Sequence, residues 1–232
     1  MAKPTADFFT PELAAHYDER NRKLSAISEN LHFLTRLVLE RLPARALILS
    51  VGAGTGADIL PLARAFPEWR FVAVEPSKSM LEVCRERLTT EGFASRCEFI
   101  HGYASDVPAK AEFDACLSIL VGHFVGREDR AGFYKNLVDH LKPGGTLVNA
   151  EISFDLNSAQ FPSMLKNWEK VQTLMGATPE SLQTLPKTLK EILTVLPPEE
   201  TEALIRTSGV DLPVRFFQAF LICAWHGTKT VR

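Results

Sequence analysis

The stretch from Ala46 to Leu60, ALILSVGAGTGADIL, limits the possible architectures more than any other part of the chain. The apolar run Ala46-Leu47-Ile48-Leu49 passes through Ser50-Val51 into Gly52-Ala53-Gly54-Thr55-Gly56, and a helix-like segment with Ile59, Leu60 and Leu62 follows. A short apolar run bounded by a turn reads as a strand buried on both faces, as in a parallel sheet. The glycines admit backbone conformations closed to residues with a Cβ and let a ligand approach the main chain. The unit is strand, glycine turn, helix, and a nucleotide-like ligand is expected at the carboxyl end of the sheet. Gly52, Gly54 and Gly56 give G-x-G-x-G, whereas Gly52, Gly54 and Ala57 equally satisfy G-x-G-x-x-G/A. The turn alone does not choose between ligand classes.

The 232 residues, 46% of them hydrophobic, suit one α/β domain over 1–232. A net charge of −2, with no run of five like charges, gives no general attraction to nucleic acid or an anionic membrane, and neither is expected as a partner. Cys84, Cys97, Cys116 and Cys223 form no C-x-x-C pair, so neither a zinc site nor a redox pair is expected. No Asp/His cluster calls for another metal. A reduced, cytoplasmic setting fits these thiols. The first residues carry no apolar leader, and the longest apolar run, Phe216 to Trp225, is interrupted by Gln218 and too short to span a bilayer.

Residues 1 to 10 are expected to be loose. A helical region covers 10–42, with Leu24, Ile27, Leu31, Leu34 and Val38 on one stripe. Further buried strands are expected at Phe71–Val74, Cys97–Ile100, Phe113–Leu120 and Thr146–Ile152, with helices between them and Ser77 as an N-cap. Residues 154–196 contain no strand and read as an inserted helical cap, with Pro179 and Pro186 near helix starts. A last helix over Pro198–Ser208 stops at Gly209. Two adjacent strands around Gln218-Ala219 are too close for a crossover and should be antiparallel.

Glu75 stands at the end of the second strand, 19 residues after Gly56, where a carboxylate accepts hydrogen bonds from a ribose diol. VGAGTG (51–56), VEPSKSML (74–81), FDACLSIL (113–120) and LKPGG (141–145), in that order, resemble the class I S-adenosylmethionine-dependent methyltransferases. The resemblance covers nearly the whole chain and implies a Rossmann-like, mostly parallel sheet closed by an antiparallel C-terminal strand. It implies methyl transfer from S-adenosylmethionine to a small-molecule acceptor, by a monomer or a homodimer. It also places the methionine part of the cofactor over Gly52, Ala53 and Gly54, the ribose on Glu75, and the adenine near Pro76, Met80, Tyr103 and Ala104, with Gly56 among the cofactor-binding residues. Ser118 would line the sulfonium side. One position departs from the family: the acid usual two residues before the first glycine is Ser50. Tyr17-Asp18-Glu19-Arg20 together with Phe216-Phe217-Gln218-Ala219-Phe220 partly resembles the carboxy-S-adenosylmethionine synthases of tRNA modification, but Leu204 stands where those enzymes carry an arginine. A nicotinamide-dependent oxidoreductase and a non-catalytic cofactor-binding protein are the alternative readings.

For chemistry, His123 follows the fourth strand and is the candidate general base. Tyr17 is the candidate to close over the cofactor. His101 reads as structural, Phe161 and Trp168 as core or acceptor-pocket residues of the cap, and Gln218 as a polar mark on an aromatic strand.

Overall fold

The computed structural model describes residues 10–108 and 112–231, so most of the opening stretch expected to be loose lies outside it. Among these residues seven strands form one sheet: β1 Leu47–Val51, β2 Arg70–Glu75, β3 Cys97–His101, β4 Phe113–Ile119, β5 Leu141–Ile152, β6 Val210–Ala219 and β7 Ile222–Lys229. Their order is β3-β2-β1-β4-β5-β7-β6. The first five are parallel, and β7 lies antiparallel between β5 and β6. The chain winds outward from β1 in one direction to β2 and β3, then in the other to β4 and β5. That reversal opens a crevice at the carboxyl ends of β1 and β4, the usual ligand position in such sheets.

Eight α-helices accompany the strands among the described residues: α1 Pro11–Arg22, α2 Ser25–Leu39, α3 Ile59–Ala65, α4 Lys78–Thr90, α5 Arg130–Asp139, α6 Phe161–Leu174, α7 Pro179–Lys187 and α8 Pro198–Thr207. The two-residue period of the strands sorts side chains onto two faces. Leu49, Val51, Cys116 and Leu147 face one layer with Tyr134, Leu137 and Ile205 of α5 and α8. Ile48, Ala73, Leu117 and Val148 face the other with Leu39, Ile59, Leu62 and Cys84 of α2, α3 and α4. A third cluster joins Leu31 to Phe161, Trp168 and Val171 of α6 and to Phe217 and Ala224. Phe161 and Trp168 therefore serve the core. Within FDACLSIL and LKPGG, Asp114 accepts from the Leu47 N–H (2.8 Å) and from Lys142 (2.7 Å), tying the start of β1 to β5.

Several boundaries differ from expectation. The N-terminal helical region breaks into two helices at Lys23-Leu24, where Leu24 donates its N–H to the Asn21 carbonyl. α3 starts at Ile59, after Ala57 and Asp58, and does not follow the glycines at once. Pro186 lies inside α7, not near a helix start, and a wider π-turn over Thr188–Ile192 continues the coil. The hairpin turn falls at Phe220-Leu221, one step beyond the expected site. Phe220 there has φ of 52°, with no glycine or asparagine to mark it.

Candidate cofactor site at the glycine turn

The strand-to-turn transition is pinned by β2: the Gly52 and Ala53 N–H groups both donate to the Val74 carbonyl, at 2.8 and 3.1 Å. Gly52 and Gly56 are then required by packing. A Cβ on Gly52 would run into the Val121 side chain, and one on Gly56 would lie 2.8 Å from Cys84 Sγ. Gly54 is different. Its φ is 54°, yet a Cβ there would meet nothing nearer than Met80 Cε at 3.6 Å. The outer side of Gly54 is open, and packing does not demand a glycine there.

Glu75 meets this open face. Its carboxylate is only 6% exposed, and it accepts from the Gly54 N–H (3.0 Å) and the Ser77 N–H (2.9 Å). Burial pushes its pKa up, opposed by those two bonds and helped by the nearby Asp58. Ser77 caps α4 through the Met80 N–H (3.4 Å), which places Met80 beneath Gly54. His101 Nε2 lies 3.0 Å from the Pro76 carbonyl, and the Tyr103 N–H donates to Asp106 (2.7 Å), with Ala104 buried behind. Pro76, Tyr103 and Ala104 therefore line the carboxyl edges of β2 and β3 beside Glu75. Ser50, in place of the family's acid, donates its hydroxyl to Asp58 at 2.7 Å.

α1 lies across α4 and reaches the turn. Asp18 accepts from the Thr55 hydroxyl (2.8 Å) and pairs with Arg87 of α4, which also donates to Thr55 (3.2 Å). Burial raises the pKa of Tyr17, one residue earlier, and the charge of Glu75 adds to the rise, against Asn21 and Arg20. Asp18 and Thr55 stand in motifs already quoted, but the latch they form with Arg87 escaped the sequence reading. The adjacency of Asp18 to the flagged Tyr17 was its only trace. Asp18→Ala should cost this latch about 1 kcal/mol, or roughly fivefold faster amide exchange over residues 11–22. Unchanged exchange would show that α1 is held elsewhere.

Two of the expected site residues are not brought to this crevice as expected. His123 is buried, and its Nδ1 accepts from the Ile152 N–H (3.2 Å) while its carbonyl accepts from Thr194. Burial, with Arg130 nearby, lowers its pKa to about 3. That ring holds its loop against β5, and the nitrogen facing Ile152 is not free to take a proton. Ser118 is fully buried in β4 beside Asn149. Its Oγ finds no partner among the described residues, and it lies beneath the crevice. Gln218 is exposed and bonds to the Phe220 carbonyl at the hairpin (3.4 Å). A groove of about 820 Å³ lies between residues 124–129 and 189–195, and none of the expected cofactor residues lines it. No group of three or more metal-ligating side chains occurs among the described residues, and none of their helices is long and apolar enough to cross a membrane.

Known proteins match the segment that builds this crevice. Residues 48–145, from β1 through the LKPGG segment that opens β5, match the family model described as a methyltransferase domain. The ubiquinone/menaquinone biosynthesis C-methyltransferase UbiE of Pseudomonas putida is 31% identical over 158 residues, covering 67% of this chain and 60% of that protein. Its counterpart in Ectopseudomonas oleovorans is 31% identical over 146 residues, covering 62% of this chain and 84% of that protein. The chain thus spans about 60% of the length of the Pseudomonas relatives. An O-methyltransferase family 2 protein of Planctomyces limnophilus, solved with apigenin, superposes with a TM-score of 0.64 at 16% identity. The match covers 98% of this chain and 62% of that one, and it shares the fold. With the glycine turn, the carboxylate after β2 and the closing antiparallel strand all in place, the chain belongs to the class I S-adenosylmethionine-dependent methyltransferase family.

Proposed function

We propose that this protein transfers a methyl group from S-adenosylmethionine to a small-molecule acceptor. The observation that carries the reading is the open outer side of Gly54 next to the buried Glu75 carboxylate, at the point where the strand order reverses. The fit is favourable. Glu75 has acceptor capacity left beyond its two backbone bonds, enough for a ribose diol. Gly54, next to Gly52 and Ala53, leaves main-chain room for the methionine part. Pro76, Met80, Tyr103 and Ala104 offer a mixed apolar edge for the base, and the charge of the carboxylate reaches Tyr17 on α1.

When bound, the cofactor supplies a methyl group already activated by its sulfonium charge. The protein therefore contributes alignment and exclusion of water, worth up to about 7–11 kcal/mol for a well-oriented pair. α1, latched to Thr55 through Asp18, borders the turn and with Tyr17 would close over a bound cofactor and exclude water. His123 does not serve as the base, so the acceptor has to present its nucleophilic atom without a proton to be removed by this residue. A phenolate, an amine or an electron-rich ring carbon meets that requirement. The carboxy-cofactor variant is disfavoured: Leu204 packs against the core and Arg206 points to solvent.

S-adenosylhomocysteine at 100 times its dissociation constant should stabilise the fold by about 2.7 kcal/mol in a thermal-shift assay, and NAD should not. A shift with NAD alone would overturn the reading.

A further inference from the structure

Asp58 is a buried carboxylate, 9% exposed, at the N-cap of α3, two residues after Gly56 of the glycine turn. Its Oδ2 takes the Ser50 hydroxyl at 2.7 Å. Among the described residues it has no Lys, Arg or His within ion-pair distance. Its own charge raises the pKa of Glu75 on β2, Cys84 on α4 and Cys97 on β3, so the ionisable groups it is coupled to there are acids and not cations. A buried carboxylate with no cationic partner is either protonated or met by a positive charge, and a pKa of about 6 leaves Asp58 mostly ionised at neutral pH, so a positive charge from outside the chain would complete the site. Ser50 occupies the position where the family carries its acid, and its hydroxyl is what holds Asp58 there.

We infer that Asp58, positioned by Ser50, holds the ammonium group of the cofactor's methionine part, so that the acid of this subsite comes from the start of α3 instead of the end of β1. The inference rests on the cofactor reading above. It carries a consequence for pH. Burial raises the Asp58 pKa to about 6, with the Ser50 hydroxyl and the Asp58 and Ile59 N–H groups opposing. The ionised form binds a cation, so affinity falls as pH drops through about 6. Stability runs the other way: a folded-state pKa above the unfolded value means that protonating this group favours the folded protein. Binding lost near pH 5 is therefore not a sign of unfolding through Asp58.

The test is the affinity of S-adenosylhomocysteine and of 5′-methylthioadenosine, which lacks the amino-acid part, measured by calorimetry from pH 5 to pH 8. Asp58→Asn should weaken S-adenosylhomocysteine about 10- to 100-fold at pH 8, leave methylthioadenosine unchanged, and abolish the pH dependence near 6. Adding Ser50→Asp to the Asp58→Asn variant should restore much of the lost affinity. Ser50→Ala keeps the carboxylate but removes one bond to its ionised form, and should move the pH midpoint upward. Equal loss of both ligands in Asp58→Asn, an unchanged pH profile in that variant, or an unmoved midpoint in Ser50→Ala would overturn the assignment. Failure of the unaltered protein to bind either ligand would instead overturn the cofactor reading itself.

Discussion

Replacing Glu151 with alanine is expected to lower the stability of the fold by about 3–5 kcal/mol, more than any other single change considered. Glu151 and Arg130 are fully buried and pair at 2.7 Å. Glu151 also accepts from Tyr134 (3.0 Å) and Thr201 (2.7 Å), so β5, α5 and α8 converge on one carboxylate. Burial pushes its pKa up, while Arg130 and the two hydroxyls pull it down. The remaining Arg130 donors go to the carbonyls of Val125 (3.1 Å) and Thr194 (2.8 Å). Removing the carboxylate strands a guanidinium in the core, which is why the cost exceeds that of an ordinary hydrogen bond. Exchanging Arg130 and Glu151 together for apolar residues of similar volume should recover most of the loss. Urea unfolding measures both. A single-variant cost below about 1 kcal/mol would show that the pair is not held in the charged, desolvated state described. The effect also reaches the cofactor crevice. A Cβ on Gly122 would strike Glu151, so the network seats the loop whose Val121 packs on Gly52.

Gly54→Val is expected to abolish cofactor binding, by roughly 100-fold or more, with the protein still folded. The strain of φ near 54° for a residue with a Cβ costs about 1–2 kcal/mol, which a domain of this size tolerates. The side chain would project into the open space outside Gly54 and occupy the approach of the ligand. Gly56→Val is the contrasting case. Its Cβ meets Cys84 Sγ at 2.8 Å, so that change should act on stability. Calorimetric titration with S-adenosylhomocysteine, alongside circular dichroism, separates the two. Affinity within a few-fold of the unaltered protein in Gly54→Val would mean that the ligand does not pass over this turn.

The parallel strands could be read from the chain because strands covered on both faces are apolar runs, and β1, β2 and β4 are such runs between turns. The glycine turn and Glu75 were legible for the same local reason, since a turn and a strand end lie in adjacent stretches. What escaped detection depends on contacts between distant residues. Ser50 looked like a missing acid because nothing in the sequence indicates that Asp58, eight residues on, folds back against it. His123 looked like a base because strand ends often carry chemistry, whereas its Nδ1 is occupied by Ile152, 29 residues away. Arg130 and Glu151 lie on separate elements with no pattern linking them. The hairpin was placed slightly early because Phe220 turns without the residues that usually announce a turn.

The position of β7 bears on how the protein is made. β6 leaves the ribosome before β7, yet its only neighbour in the sheet is β7. It has no edge to join until residues 222–229 have followed. Until then β5 presents an unpaired edge and β6 has no strand to pair with. Open strand edges invite pairing with other chains. The hairpin therefore inserts as a unit, and the nascent protein passes through its most association-prone state late, after the cofactor crevice has its strands.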